Sequence, residues 1–204
     1  TLSLHDALPI YTAYFPHPLA DRSVLILHEL RIQSVGTEDR KKNGLVLCLP
    51  VLDNTNIVNA DKICSNHGLL NYKMFRSIAE KYRSTLKIRL ANVNQPVSTL
   101  SGGNMQKVVI AKWMEMNPQI ILFDEPTRGI DIGAKAEIYS IMSEFAKKGA
   151  AIVMVSSEMP ELISVTDKIV VMCEGRMTGV VPHEEATQER IMLLASTRRV
   201  QEGV

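Results

Sequence analysis

The run Ile120–Gly133, which reads IILFDEPTRGIDIG, constrains the fold more than any other part of the chain. Its four opening apolar residues are typical of a short strand buried on both faces. Asp124 and Glu125 follow at the carboxyl end of this strand, the edge at which open α/β sheets bind ligands. There the first acid can hold Mg²⁺ through water, and the second can orient or deprotonate an attacking water. Alternatively, the acids only mark the end of the strand, because Pro126 cannot pair in a sheet ladder.

A polar turn rich in glycine, Leu100–Lys107 (LSGGNMQK), precedes an apolar segment of helical character. Ser101 is suited to cap a helix, and Gly102 and Gly103 let backbone N–H groups approach an anion at the positive end of the helix dipole. The pattern predicts a phosphate-binding turn. A Ser-Gly-Gly sequence before a helix is, however, more often a cap and a turn alone.

Taken together, these motifs resemble those of the nucleotide-binding domains of ATP-binding-cassette (ABC) transporters. LSGGNMQK is similar to the signature motif of that family, IILFDEP to its Walker B motif, and Thr127–Gly133 to its D-loop region. The segments TEDRK, GAK and SSEMPEL are similar to the second, C-terminal cassette in the ATP-binding subunits of ribose, galactose and related monosaccharide importers. The resemblance covers roughly residues 33–197 and is strong from residue 100 to residue 179.

The order of the elements predicts an α/β fold. Two continuous apolar strands, near 120–123 and 151–155, flank a helix whose apolar residues lie on one face. Short connections between them predict a right-handed parallel βαβ unit, in which Ser157 emerges at the same sheet edge as the two acids. The resemblance implies a partial ABC nucleotide-binding domain, that is, a P-loop NTPase-type parallel sheet with flanking helices and a small helical subdomain at about 57–99.

Residues 1–32 are expected to lie outside this domain, as a non-native or irregular segment. Residues 1–10 (TLSLHDALPI) look like a translated adaptor sequence, and an ordinary disordered terminus is the alternative. Residues 11–20 contain two prolines and no periodicity, which predicts irregular structure. Residues 33–199 then form an incomplete ABC ATPase domain, whose part from the signature to the C-terminus is 100–199.

The resemblance implies that two cassettes close head to tail on two ATP molecules. Each site then combines the P-loop and Walker B residues of one cassette with the signature of the other. On that arrangement Ser101, Gly102 and Gly103 contact the γ-phosphate of ATP held by the partner cassette. Gln106 belongs to the same nucleotide-contacting signature segment, and Asp131 communicates across the interface between the cassettes.

The resemblance also assigns residues to the cassette's own site. Asp124 helps to hold Mg²⁺, and Glu125 polarises the attacking water. Glu38, within TEDRK, occupies the position where most cassette ATPases have a glutamine that contacts the metal and this water; the alternative is a solvated charged turn. Ser157 stands where most of the family has a switch histidine, and a serine can hydrogen-bond a phosphate but does not titrate as an imidazole does.

The sequence contains no G-x-x-x-x-G-K-[ST] segment, the P-loop whose backbone N–H groups and lysine cradle nucleotide phosphates. In the family this motif precedes the position of Glu38 by a few tens of residues. Phosphoryl transfer depends on positioning and charge stabilisation. We therefore expect this polypeptide alone to bind MgATP poorly and to be inactive, whereas the intact family member is an ATPase.

Composition and resemblance together set the expected partners. A net charge of +1 gives no electrostatic reason to expect nucleic acid. The longest apolar stretch is too short to span a bilayer, and three cysteines without metal-ligand spacing are typical of reduced cytosolic thiols. The resemblance implies a second nucleotide-binding cassette, transmembrane permease subunits and, indirectly, a sugar-binding protein. It also implies a peripheral location on the cytoplasmic face of the cell membrane.

The function expected from the resemblance is that of an ATP-binding and ATP-hydrolysing subunit that energises monosaccharide import. One alternative is a regulatory module that lacks a P-loop and lends only its signature to a partner. Another is a non-transport ABC ATPase, against which the lack of a basic surplus and the segments TEDRK, GAK and SSEMPEL argue. The identity of the sugar does not follow, because specificity belongs to the binding protein and the permease.

Overall fold

The computed structural model describes residues 10–14, 32–35, 44–60 and 70–196. The strands are β1 (Ile10–Tyr14), β2 (Ile32–Val35), β3 (Ile120–Asp124), β4 (Ala151–Val155), β5 (Lys168–Cys173) and β6 (Arg176–Pro182). The α-helices are α1 (Val51–Asn56), α2 (Tyr72–Thr85), α3 (Gly102–Met114), α4 (Ile132–Lys147), α5 (Met159–Val165) and α6 (Gln188–Ser196). The chain divides into two compact units. The sheet unit comprises Thr1–Ile32, Gln119–Glu125 and Met142–Val204, and the helical unit comprises Gln33–Pro118 and Pro126–Ile141.

The sheet unit contains a mainly parallel arrangement of strands in the order β3-β4-β1-β5-β6. β3 and β4 pair in parallel, with Asp124 opposite Val155 at their carboxyl ends. The predicted pairing of these two strands is therefore confirmed. Alternate side chains of both strands are fully buried, and the apolar side chains between them are half-buried. The fully buried residues are Ile121, Phe123, Ile152 and Met154.

β1 lies between two other strands, parallel to β4 on one side and to β5 on the other. The prediction of irregular structure for residues 11–20 is therefore wrong for residues 11–14. The run IYTAY is rich in residues of high β propensity. Pro16 and Pro18 follow so closely that they concealed this signal in the sequence.

β5 and β6 form an antiparallel hairpin. Glu174 and Gly175 join the strands with φ angles of 49° and 78°. Positive φ at both central residues is what a two-residue type I′ turn requires. α6 packs against this hairpin so closely that a Cβ at Gly179 would lie 2.8 Å from Cδ1 of Leu194.

In the helical unit, α1 packs against α2 and α3. The apolar residues of α2 that recur at helical spacing form part of the core: Phe75, Ile78, Ala79 and Tyr82. Tyr72, the first residue of the helix, is 67% exposed.

Two buried polar side chains anchor the C-terminal part of α3. The hydroxyl of Tyr82 donates to Glu115 Oε2 at 2.6 Å, and the ammonium of Lys112 donates to the Gly44 carbonyl at 2.8 Å. Burial raises the pKa of Tyr82 above its ordinary value and lowers the pKa of Lys112. Both groups thus keep a partner where water is largely excluded.

Gly149 follows the last turn of α4 with a φ of 90°, the left-handed conformation common just after a helix. The apolar residues of α4 are buried along one stripe, which consists of Ile138, Ile141, Met142 and Phe145. Within the described ranges, no helix combines the length and the hydropathy needed to cross a membrane.

Candidate functional site

A cavity of about 220 Å³ lies at the N-terminus of α3 in the helical unit. We call it the α3 cavity. Its walls come from the turn after α2, the first turn of α3 and the start of α4. The lining residues are Arg89, Ser101, Gly103, Asn104, Asp131, Gly133, Ala134 and Glu137. The cavity thus brings together three residues predicted from the signature-like and D-loop-like motifs: Ser101, Gly103 and Asp131.

Ser101 precedes the first residue of α3, and its side chain makes no capping hydrogen bond to the helix. Its Oγ instead accepts a hydrogen bond of 2.9 Å from Nδ2 of Asn104. Oδ1 of Asn104 accepts in turn from the backbone N–H of Arg89 at 2.8 Å. A serine hydroxyl that accepts in this way can still donate its own hydrogen to an anion. The N–H groups of the first helical turn provide further donors at the positive end of the helix dipole.

Gly103 lets the start of α3 approach the start of α4. A Cβ built at this position would lie 2.7 Å from Cβ of Ala134, closer than two such atoms can pack. Ala134 and Gly103 both line the cavity. The glycine is therefore needed for the contact between helices as well as for access to backbone N–H groups.

Asp131 caps α4. Its Oδ1 accepts a hydrogen bond of 2.9 Å from the backbone N–H of Ala134, three residues further on. The carboxylate is exposed and lies at the N-terminus of a helix, where the dipole favours a negative charge. Asp131 therefore shapes the wall of the α3 cavity through the helix that it caps.

An ion pair that the sequence does not reveal supports the same cavity. Nζ of Lys107, whose side chain is 2% exposed, lies 2.7 Å from Oε2 of Glu137. The other carboxylate oxygen lies 3.9 Å from Nη2 of Arg89. The hydrogen bond from Lys107 lowers the pKa of Glu137 below its ordinary value, and the nearby charges of Lys107, Arg89 and Lys87 act in the same direction.

A second cluster of predicted residues lies in the sheet unit, at the carboxyl ends of β3 and β4. Asp124 is the exposed last residue of β3. The backbone N–H of Glu125 donates to the Val155 carbonyl at 2.9 Å, and Oε1 of Glu125 accepts from the backbone N–H of Ser157 at 2.7 Å. The prediction that Ser157 emerges beside the two acids is confirmed by this contact.

Glu125 has a φ of 46°, in the left-handed region that favours glycine. Residues held in such a conformation are concentrated at functional sites, where surrounding contacts determine them. Here the two hydrogen bonds to the end of β4 fix both the backbone and the carboxylate of Glu125. The carboxylate consequently has a defined orientation at the sheet edge.

Hydrogen bonds of the buried Ser156 stabilise the turn that carries Ser157. Ser156 is buried, and its Oγ donates to Oε2 of Glu161 at 2.5 Å while accepting from the backbone N–H of Glu158 at 3.1 Å. This arrangement fixes the path of the chain from β4 into α5. Ser157 itself is exposed, so its side chain is accessible at the sheet edge.

Three other predicted residues belong to neither cluster as the structure describes it. Gly102 is half-buried as the first residue of α3 and is not among the residues that line the cavity. Gln106 is 3% exposed and is also absent from the lining. Glu38 lies outside the described residues.

Sequence reasoning missed Arg89, Asn104, Lys107 and Glu137. One signal was available for Lys107, because a lysine among apolar helical residues needs a partner if that face is buried. The identity of the partner was not available, because the pairing depends on the approach of α3 to α4. Asn104 was visible only as a polar residue within the LSGGN run.

The comparisons with known proteins agree with one another on the family. A protein-family model described as ABC transporter matches residues 28–128. The L-arabinose transport ATP-binding protein AraG of Geobacillus stearothermophilus is 48% identical over 167 residues, which cover 82% of this chain and 32% of that protein. A putative ribose/galactose/methyl galactoside import ATP-binding protein of Pseudomonas syringae pv. tomato is 44% identical over 164 residues, which cover 80% of this chain and 31% of that protein. The chain spans about a third of the length of these curated relatives.

The fold is similar to that of a solved nucleotide-binding cassette. The structure of the ATP-binding cassette MJ0796, a dimer in a post-hydrolysis state bound to ADP and Pi, matches with a TM-score of 0.65. The match covers 87% of this chain and 85% of that chain at 19% sequence identity. At this identity the likeness concerns the α/β fold.

Proposed function

This chain belongs to the ABC transporter family, and from that premise we propose that it is part of an ATP-binding subunit that energises the import of a monosaccharide. The sugar class is proposed because the relatives are named for the transport of arabinose and of ribose, galactose and methyl galactoside. Further proposed partners are transmembrane permease subunits and, indirectly, a sugar-binding protein. The subunit would be peripheral on the cytoplasmic face of the membrane.

The α3 cavity is the observation that carries this proposal. Ser101 and Gly103 of the signature-like motif share it with Asp131 of the D-loop-like segment. The Ser101 hydroxyl and the N–H groups from Gly102 onwards offer hydrogen-bond donors to an anion. We propose that this cavity receives the γ-phosphate of ATP held by the P-loop of a second cassette. Gln106, a buried residue of α3, would support the first turn of this helix.

Asp124 and Glu125, at the sheet edge, would act on the nucleotide bound in this cassette's own site. Mg²⁺ is normally held by one or two carboxylates together with phosphates and waters. An exposed Asp124 fits that role, and the described residues contain no group of three or more His, Cys, Asp or Glu that could hold a metal without a nucleotide. When bound, Mg²⁺ would neutralise charge on the phosphates.

Glu125 is suited to orient the attacking water, because its carboxylate is already fixed by the Ser157 N–H. Ser157 would donate its hydroxyl hydrogen to a phosphate oxygen in the place of the switch histidine. Unlike a histidine, it would not change its charge near neutral pH. Glu38 is proposed to contact the metal and the water from the TEDRK segment.

The experiment that tests this function uses the longer reading frame that carries this sequence in its source DNA. We would express it with the permease genes beside it and reconstitute the complex in vesicles. The expected result is ATP hydrolysis coupled to uptake of labelled arabinose, ribose or galactose. Hydrolysis without association with a permease, and without uptake of any sugar, would instead support a non-transport ABC ATPase.

A second candidate function is favoured by one observation, the lack of a P-loop segment in these 204 residues. The chain would then be a module that lends its signature face to a partner and does not hydrolyse ATP itself. In that case the complete reading frame would also lack a P-loop. Adding the protein to a partner cassette that has one would raise the hydrolysis rate of that partner.

A further inference from the structure

We propose that Glu137 is a positioning residue for the α3 cavity and acts through the buried ammonium group of Lys107. This inference rests on the proposed function of the cavity as a contact site for nucleotide phosphate. Glu137 is a residue that the motifs do not single out, since it lies beyond the D-loop-like segment. Its proposed role is to hold the donors of the first turn of α3 in place.

The ammonium of Lys107 joins three segments of the helical unit. It belongs to α3, pairs with Glu137 of α4 at 2.7 Å, and donates to the Lys87 carbonyl at 3.2 Å. The Lys87 carbonyl belongs to the turn after α2, in which Lys87 has a φ of 50°. These three segments are the ones that wall the α3 cavity.

Hydrogen bonds continue from this turn to the proposed phosphate contact. Two residues after Lys87, the N–H of Arg89 donates to Oδ1 of Asn104 at 2.8 Å. Nδ2 of Asn104 donates to Oγ of Ser101 at 2.9 Å. A displacement of Lys107 therefore moves the groups that orient the Ser101 hydroxyl.

Because the ammonium group of Lys107 is buried, losing its carboxylate partner is costly. The Lys107 side chain is 2% exposed, whereas that of Glu137 is 40% exposed. A buried ammonium that loses its carboxylate keeps the cost of desolvation without compensation, so it moves toward water. Glu137 itself lines the α3 cavity.

Charge argues against a direct contact between Glu137 and a phosphate. Two negative groups repel each other, and Lys107 and Arg89 compensate the carboxylate only while the ion pairs persist. Glu137 therefore acts on the phosphate through the geometry of its neighbours. This distinguishes it from Ser101, which is proposed to touch the phosphate.

The first test measures ATP hydrolysis by the longer protein that carries this chain, assembled with its second cassette. Glu137→Gln should lower kcat by about tenfold to a hundredfold, since small misplacements of a positioned group have effects of that size. KM for MgATP should change little, because the P-loop of the partner cassette holds the nucleotide. The matched control is Glu144→Gln, the same change at an exposed position of the same helix, which should leave both constants unchanged. Wild-type kcat in Glu137→Gln would overturn the inference.

A double variant separates positioning from stability alone. Lys107→Met with Glu137→Met removes the whole pair, and such apolar replacements commonly keep or raise stability. If the pair only stabilises the fold, this variant recovers both stability and kcat, and the inference is wrong. If Glu137 positions the cavity, stability recovers while kcat stays low. The double variant also decides the question if Glu137→Gln does not fold.

The second test needs no hydrolysis. In the 204-residue chain itself, Glu137→Gln should shift the NMR amide signals of Arg89, Ser101 and Gly103, and Glu144→Gln should not. Unchanged signals at all three amides would overturn the inference. An inactive wild-type protein would count against the proposed function, whereas these amide signals would still decide the role of Glu137.

Discussion

The carboxylate of Glu125 accepts a hydrogen bond of 2.7 Å from the backbone N–H of Ser157, and this bond joins the ends of β3 and β4. The backbone of Glu125 is tied to the same strand end by its own N–H, which donates to the Val155 carbonyl. A residue with a φ of 46° is thereby held in a conformation that few side chains adopt. The proposed water-orienting carboxylate thus has a fixed direction at the sheet edge.

The left-handed conformation of Glu125 predicts an unusual order of stabilities. Glu125→Gly should have a free energy of unfolding about 1 kcal/mol higher than Glu125→Ala, because both lose the carboxylate but only alanine keeps the backbone strain. Urea unfolding of the two variants measures this difference. Ser140, an exposed residue in the middle of α4, provides the control. There glycine should be less stable than alanine by about 1 kcal/mol, and the same order at both positions would contradict the prediction.

The contact between Gly103 and Ala134 predicts a specific pair of compensating changes. Gly103→Ala should lower the free energy of unfolding by about 1–3 kcal/mol, because its Cβ would meet that of Ala134. Ala134→Gly removes the obstructing atom, so adding it to Gly103→Ala should cost less than it costs alone. A double-mutant cycle by urea unfolding measures this coupling. Additive effects would show that the two residues do not determine the approach of the helices.

The Asp131 cap predicts a modest and chemically selective loss of stability. Asp131→Ala should lower the free energy of unfolding by about 1 kcal/mol, because the N–H of Ala134 loses its acceptor. Asp131→Asn keeps a side-chain oxygen and should recover most of this loss. Thermal unfolding followed by circular dichroism measures both variants. Equal losses for alanine and asparagine would contradict the attribution of the loss to the side-chain oxygen.

The ion pair of Glu137 predicts a dependence of stability on pH. The pKa of Glu137 is lowered in the folded protein, so its contribution is present above the ordinary pKa and is lost as the pH falls through the folded-state pKa. The cations involved are Lys107, Arg89 and Lys87. The stability difference between the wild type and Glu137→Gln should therefore be constant near neutral pH and shrink as the pH falls below the ordinary pKa of a glutamate, about 4.3. Urea unfolding across this range measures it.

Glu144→Gln is the control for this titration, since Glu144 is an exposed glutamate of the same helix. Its stability should follow that of the wild type throughout the range. A difference between the wild type and Glu137→Gln that does not depend on pH would contradict the assignment. The contribution of Glu137 would then not be that of a charged carboxylate.

Local sequence determined much of the sheet unit. The apolar runs of β3 and β4 predicted their parallel pairing. β1 was not predicted, because its evidence is its pairing with residues far along the chain, such as Ile10 with Ile152. A five-residue run beside two prolines carries too little local signal for a strand.

The site was predictable only as far as its motifs extended. Ser101, Gly103 and Asp131 were expected to act together through a family resemblance, and they do share the α3 cavity. The pairing of Lys107 with Glu137 depends on how two helices pack, which sequence spacing does not specify. The left-handed backbone of Glu125 likewise depends on the end of β4 rather than on its neighbours in sequence.

The most direct test of the account places a negative charge at the start of α3. Gly102 is the first residue of that helix, where an acidic side chain favours the helix dipole but repels an approaching phosphate. We would measure ATP hydrolysis by the assembled two-cassette protein that carries Gly102→Asp, with Gly102→Asn as the neutral control of equal size. The account predicts that Gly102→Asp folds at least as stably as Gly102→Asn and hydrolyses ATP about a hundredfold more slowly. Equal rates for the two variants would contradict the claim that the α3 cavity receives a nucleotide phosphate.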